Sequence, residues 1–162
     1  MLRPPSRPTV RRCAAGSDSS PALVVGGVWL YAGWLKVGDP EASTTAVRAY
    51  QLLPLDVADA VGRVLPALEV AVGLLLVLGL LSRWAAVVSA LLLAAFVVGI
   101  VSVWVRGIPI DCGCFGGGGY DPDAFAQYPW EIARDAGLML ASAYVFWARR
   151  TRLALDNLVF PA

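Results

Sequence analysis

"WAAVVSALLLAAFVVGIVSVWV", Trp84 to Val105, contains no charged residue. A helix needs about 20 apolar residues to cross the hydrocarbon core of a bilayer, and this run is long enough. A helix packed on a soluble core keeps a polar stripe on its outer side. This run has no such stripe. It reads as a helix surrounded by lipid, and it decides the fold class.

The rest of the chain agrees. Its 162 residues are 58% hydrophobic and 15% charged, with a mean hydropathy of +0.66. A soluble domain is about half apolar and about a quarter charged. The length is that of one domain. Three further apolar runs accompany the first. Pro21 to Val37 is "PALVVGGVWLYAGWLKV", and Leu65 to Leu81 is "LPALEVAVGLLLVLGLL". The second of these is short from Pro66, so its helix is expected to start near Val57, with Pro66 kinking it or opening a new first turn. Glu131 to Ala148 is "EIARDAGLMLASAYVFWA", with Pro129 and Trp130 at its entry. Proline suits a first helical turn and Trp suits the membrane interface. The expectation is an all-α, antiparallel four-helix bundle in the membrane, a single domain over residues 21–148. The Arg-, Pro- and Ser-rich residues 1–20 read as a basic disordered tail, and residues 149–162 as a second cytoplasmic tail. Arg11-Arg12 is a faint export signal, but no cleavage site follows it.

Charge orients the bundle. With the N-terminus inside, eight basic residues lie inside (Arg3, Arg7, Arg11, Arg12, Arg83, Arg149, Arg150, Arg152) and five outside (Lys36, Arg48, Arg63, Arg106, Arg134). Basic residues favour the cytoplasmic side. Both termini are therefore expected inside, and the loop between the third and fourth runs outside.

That loop, "IPIDCGCFGGGGYDPD", carries the chemistry. Cys112 and Cys114 flank Gly113. A disulfide between them closes a very small, strained ring, and strained disulfides are the labile, oxidising ones. Gly113 supplies the backbone freedom such a ring needs. As a staple it would add little, because stabilisation grows with the loop closed. The spacing favours redox exchange over a half metal site, a buried inert pair or a plain staple. The glycines after Phe115 lack the Lys-Ser/Thr of a phosphate loop and read as a flexible hinge. With no histidine in the chain, a Cys-His nucleophile pair is excluded and no metal site is expected. No basic cluster interleaves with aromatics, so nucleic acid is not an expected partner.

Four charges sit in or at the ends of apolar runs: Lys36, Glu69, Arg134 and Asp135. Intramembrane charges are costly and are paired or functional. Glu69 is expected to pair with Lys36 or Arg134 in a structural network, and a nearby cation is a second route to lowering a thiol pKa. Glu131 and Arg134 are three apart and are candidates to pair along the helix. Trp29, Trp34, Trp84, Trp104, Trp130, Trp147, Tyr31 and Tyr128 read as interface anchors. No cofactor is evident. A quinone stacked on Trp34 or Trp104 is conceivable, but nothing in the sequence argues for it. Cys13 is solitary and has no assigned role.

The segments "YAGWLKVGDPEASTTAVRAYQLLP", "LPALEVAVGLLLVLGL", "DCGCFG" and "IARDAGLML", in this order, resemble the MauE branch of the DoxX-like membrane proteins. The resemblance runs from about Leu23 to Trp147. It implies a four-helix integral protein of the bacterial plasma membrane. It also implies a role in maturing a disulfide-rich subunit for methylamine metabolism, with a periplasmic thioredoxin-like partner or a disulfide-containing client. The family positions are Lys36, Pro54, Glu69, Cys112, Cys114, Phe115, Gly116, Arg134 and Asp135. The glycine-rich stretch after Phe115 departs from the family pattern. The expected activity is thiol–disulfide exchange at the outer face by Cys112 and Cys114, with Lys36, Glu69, Arg134 and Asp135 supporting. One cysteine meets the partner and the other resolves the mixed disulfide. The rivals are a non-catalytic scaffold with a shaped docking loop, and a small-molecule carrier built on the buried charges.

Overall fold

The computed structural model describes residues 20–147. The expected tails, apart from Ser20, lie outside the described residues, and so does Cys13. The chain forms α1 (Ser20–Val37), α2 (Pro40–Ala49), α3 (Leu55–Leu78), α4 (Ser82–Arg106), β1 (Ile110–Asp111), β2 (Gly119–Tyr120) and α5 (Ala124–Trp147). α1 packs on α3 and α4 on α5, and the two pairs meet through α1–α5 and α3–α4.

α3 and α4 are long and apolar enough to cross a membrane. α1 reaches that standard only together with α2, from which it is bent by 105°. The structure thus supports two spans, or three if the bent pair is one, where the sequence reading expected four. α5 falls short by composition: Glu131, Arg134 and Asp135 all lie in its first half.

Helix boundaries follow local chemistry. α2, which the sequence reading did not assign, starts at a built N-terminus. The Asp39 side chain accepts the Ala42 N–H at 3.0 Å, and Pro40 supplies a first-turn residue that needs no donor. α3 starts at Leu55 and continues without a break through Pro66. Proline removes the bond that would satisfy the carbonyl four residues back, at Gly62. The Ser43 hydroxyl of α2 donates to that carbonyl instead, at 2.8 Å. α5 likewise begins earlier than expected, so Pro129 lies inside it rather than at its first turn.

The α1–α3 contact is backbone against backbone. A Cβ on Gly33 would come within 2.7 Å of Val70 Cγ2, and one on Gly73 within 2.9 Å of the Gly26 carbonyl. Small residues permit this close approach, the usual device of helices in lipid. Two apolar clusters fill the interior. One gathers Val25, Trp29, Val72, Leu76, Leu93 and Val145. The other gathers Tyr50, Ile100, Val103, Ile110, Tyr128 and both cysteines of the loop. Trp29 and Tyr128 are therefore core residues and not interface anchors. Trp34, Trp84, Trp130 and Trp147 are exposed, as anchors require.

Candidate functional site

The site lies at the end of the molecule where α1 and α4 finish and α3 and α5 begin. α4 stops at Gly107, whose φ of +69° turns the chain, while the Ile108 N–H returns to the Val103 carbonyl at 3.0 Å. The following hairpin pairs Ile110 with Tyr120 and Asp111 with Gly119. Cys112, Gly113 and Cys114 sit inside it.

Two tyrosines fix this loop. The Tyr50 hydroxyl donates to the Cys112 carbonyl at 2.9 Å. Burial first, and the adjacent Cys114 second, push the Tyr50 phenol pKa up, which keeps it a donor. The Tyr128 hydroxyl accepts the Ile110 N–H at 3.0 Å and lies within 2.9 Å of the Ile108 carbonyl. Asp111 Oδ1 accepts the Gly113 N–H at 2.7 Å.

Cys112 and Cys114 are free thiols and both are buried. The Cys114 N–H donates to Cys112 Sγ at 3.3 Å, so the two residues form one tight turn. The side chain of Cys114, the neighbouring thiol rather than its N–H, then burial, then the nearby Glu131 push the Cys112 thiol pKa up. That is the reverse of the cation-driven lowering considered from sequence.

Beside the loop lie two ion pairs. Lys36 Nζ meets Glu69 Oε1 at 2.5 Å, and Arg134 Nη2 meets Asp135 Oδ1 at 2.9 Å. Glu69 thus pairs with Lys36 and not with Arg134. Arg134 pairs with its sequence neighbour, and its guanidinium also lies 4.7 Å from the centre of the Phe115 ring. Glu69, Arg134, Asp135, Cys114 and Phe115 share a small cavity of about 20 Å³, room for roughly one water molecule. Among the described residues, Glu69 Oε2 and Asp135 Oδ2 find no hydrogen-bond partner there.

The structure brings together all of Lys36, Glu69, Cys112, Gly113, Cys114, Phe115, Arg134 and Asp135, and Gly116 lies beside them. Pro54 stands apart, at the start of α3. Three residues were missed from sequence: Tyr50, Tyr128 and Glu131. Glu131 lines one cleft with Cys112 and Arg134, and Arg134, its candidate partner from sequence, forms its ion pair with Asp135. The signal was there. Tyr128, Glu131 and Asp135 are spaced i, i+3, i+7, which puts them on one helical face.

Three of the four glycines after Phe115 are closely packed, which the hinge reading did not expect. A Cβ on Gly118 would lie 2.6 Å from Ala46 Cβ, one on Gly117 2.5 Å from Asp111 Oδ2, and one on Gly116 3.0 Å from Leu35 Cβ. Gly116 and Gly118 are pressed against α1 and α2, Gly117 against Asp111 of the loop itself, and a Cβ on Gly119 would touch only Thr45, at 3.8 Å.

Apolar helices, a buried set of charges and a thiol pair at one end define a helical membrane protein with a cysteine-bearing cap. The chain matches the family model described as methylamine utilisation protein MauE over residues 18–148, and it belongs to that family. No curated protein matches the chain. No solved structure matches it either.

Proposed function

We propose that this chain is a multi-pass protein of the bacterial plasma membrane that exchanges thiols and disulfides with an extracytoplasmic partner. The four long helices form the membrane bundle, with both termini cytoplasmic and the Cys112–Gly113–Cys114 loop outside. The partner is a thioredoxin-like protein or a disulfide-containing client, and family membership links the client to methylamine utilisation. The observation that carries this reading is the thiol pair itself. Two cysteines share one turn, the Cys114 N–H on Cys112 Sγ at 3.3 Å, in a loop anchored by two buried tyrosines. Such rigid placement suits a pair that must close and open reversibly.

A scaffold reading has its own support, because the glycine-packed loop is shaped tightly enough to serve as a docking surface. Labelling in intact cells separates the two. A membrane-impermeant maleimide is added with and without reductant, and labelled cysteines are located by mass spectrometry. Exchange predicts that Cys112 and Cys114 gain label after reduction, and that a Cys114→Ser chain captures a partner through Cys112. A Cys112→Ser/Cys114→Ser chain that still supports client maturation sinks the exchange reading in favour of the scaffold.

A further inference from the structure

The two thiols do not face the same space. Cys112 lines a surface cleft with Asp111, Phe115, Trp130, Glu131 and Arg134. Cys114 lines the small interior cavity with Glu69, Arg134 and Asp135. Phe115 and Arg134 alone stand on the walls of both. Both thiols are equally buried, but the cleft, about 400 Å³, has room for an incoming sulfur and the cavity on the Cys114 side, about 20 Å³, does not. Two carboxylates line the cleft with Cys112: Asp111, whose Oδ1 already accepts the Gly113 N–H, and Glu131, whose buried Oε2 has no hydrogen-bond partner among the described residues.

We propose that Cys112 is the residue that exchanges with the partner, that Glu131 takes and returns its proton, and that Cys114 is the resolving thiol. This assignment rests on the exchange reading above. From the dithiol state, the Cys112 proton passes to the Glu131 carboxylate. The thiolate attacks one sulfur of the partner disulfide. The partner S–S bond breaks, a Cys112–partner disulfide forms, and the departing partner thiolate takes the proton from Glu131. Cys114 sulfur then attacks Cys112 Sγ. Its proton goes to the second partner thiolate, which leaves. The partner disulfide has gained two electrons and two protons, and the cysteine pair has lost them. The same steps reversed oxidise a partner dithiol.

The geometry gives each neighbour a part. Arg134, between the two spaces, lies near both sulfurs and favours whichever is anionic. The groups facing Glu131 are Cys112 and Asp111 from the loop, Tyr128, Arg134 and Asp135 from its own helix, and Tyr50 after α2. Of these only Arg134 is a cation. The raised Cys112 pKa makes a base necessary near neutral pH.

The test uses the full chain in detergent with Cys13→Ser throughout, and a symmetric nitrobenzoate disulfide whose thiolate product is yellow. With Cys114→Ser, Cys112 should react fast. With Cys112→Ser, Cys114 should react slowly. Adding Glu131→Gln to the first chain should slow it about 100-fold near neutral pH. The gap should close at alkaline pH, where hydroxide makes the thiolate, and Glu131→Asp should restore part of the rate. Gln keeps a hydrogen-bonding group at the site, so a merely structural Glu131 leaves the pH profile unmoved and overturns its role. Cys114 reacting faster than Cys112 overturns the assignment while leaving exchange intact. Neither thiol reacting until the protein is unfolded removes the exchange reading itself.

Discussion

Two buried regions of this molecule share α1 and α5 and contain opposite chemistry. In the apolar half, the Trp29 indole donates to Ser89 Oγ at 2.7 Å, Ser89 and Ser142 hydroxyls lie 2.9 Å apart, and Ser142 donates to the Leu138 carbonyl. That chain joins α1, α4 and α5, carries no charge and gives every member a partner. In the cysteine half, α1, α3 and α5 bury four charges, and three carboxylate oxygens find no partner among the described residues. A fully satisfied polar network adds rigidity, whereas a partly satisfied one costs stability. The first region therefore holds the fold. The second buries charge, which is costly in a membrane and is found paired or functional.

The largest effect should come from breaking one partner of a charge pair. Lys36→Met leaves Glu69 fully buried and uncompensated. The expected loss is about 3–5 kcal/mol, read as a lower midpoint in thermal or denaturant unfolding in detergent. Lys36→Met with Glu69→Leu should recover most of it, because apolar side chains of similar volume replace a buried pair at little cost. A silent single variant would show that the two halves are energetically alike and would end the comparison.

The next effect sharpens what the loop is. Gly113 has a φ of +66°, and a Cβ there would fall on the Ala46 Cβ. Gly113→Ala should cost about 1–3 kcal/mol in backbone strain, with a clash of similar size added. Adding Ala46→Gly removes the clash and leaves the strain, so up to half of the loss should return once the cost of about 0.5–1 kcal/mol for Ala46→Gly alone is subtracted. If Gly113→Ala is harmless, the loop is the flexible hinge its composition suggests and not a packed cap.

That contrast marks what sequence can tell. The charge-free run from Trp84 to Val105 became α4 almost residue for residue, because length and the lack of a polar stripe are local properties. The supporting charges were legible for the same reason, since a Lys, Glu, Arg or Asp within an apolar run stands out. The pairing was not. Whether Glu69 meets Lys36 or Arg134 depends on helix rotation, and α1 and α3 fix it by packing through Gly33 and Gly73. A glycine run also reads the same whether it bends freely or is pressed against Ala46. α2 was hidden because its apolar content is low, although Asp39-Pro40 announces its start.

The smallest effect belongs to the apolar half. Ser142→Ala removes the end of the neutral chain and leaves Ser89 still accepting from Trp29. Interhelical hydrogen bonds of this kind average about 0.6 kcal/mol in membrane proteins, because the separated helices also find partners for their polar groups. The variant should shift the unfolding midpoint slightly and leave thiol reactivity at Cys112 untouched. A loss as large as that of Lys36→Met would mean that the neutral chain and the charged pair act as one network across Phe96. That ring's centre lies 6.2 Å from the centre of the Trp29 ring and 5.5 Å from Lys36 Nζ. The double variant Ser142→Ala with Lys36→Met decides this. Additive losses keep the two regions independent, and a coupling above about 0.5 kcal/mol joins them.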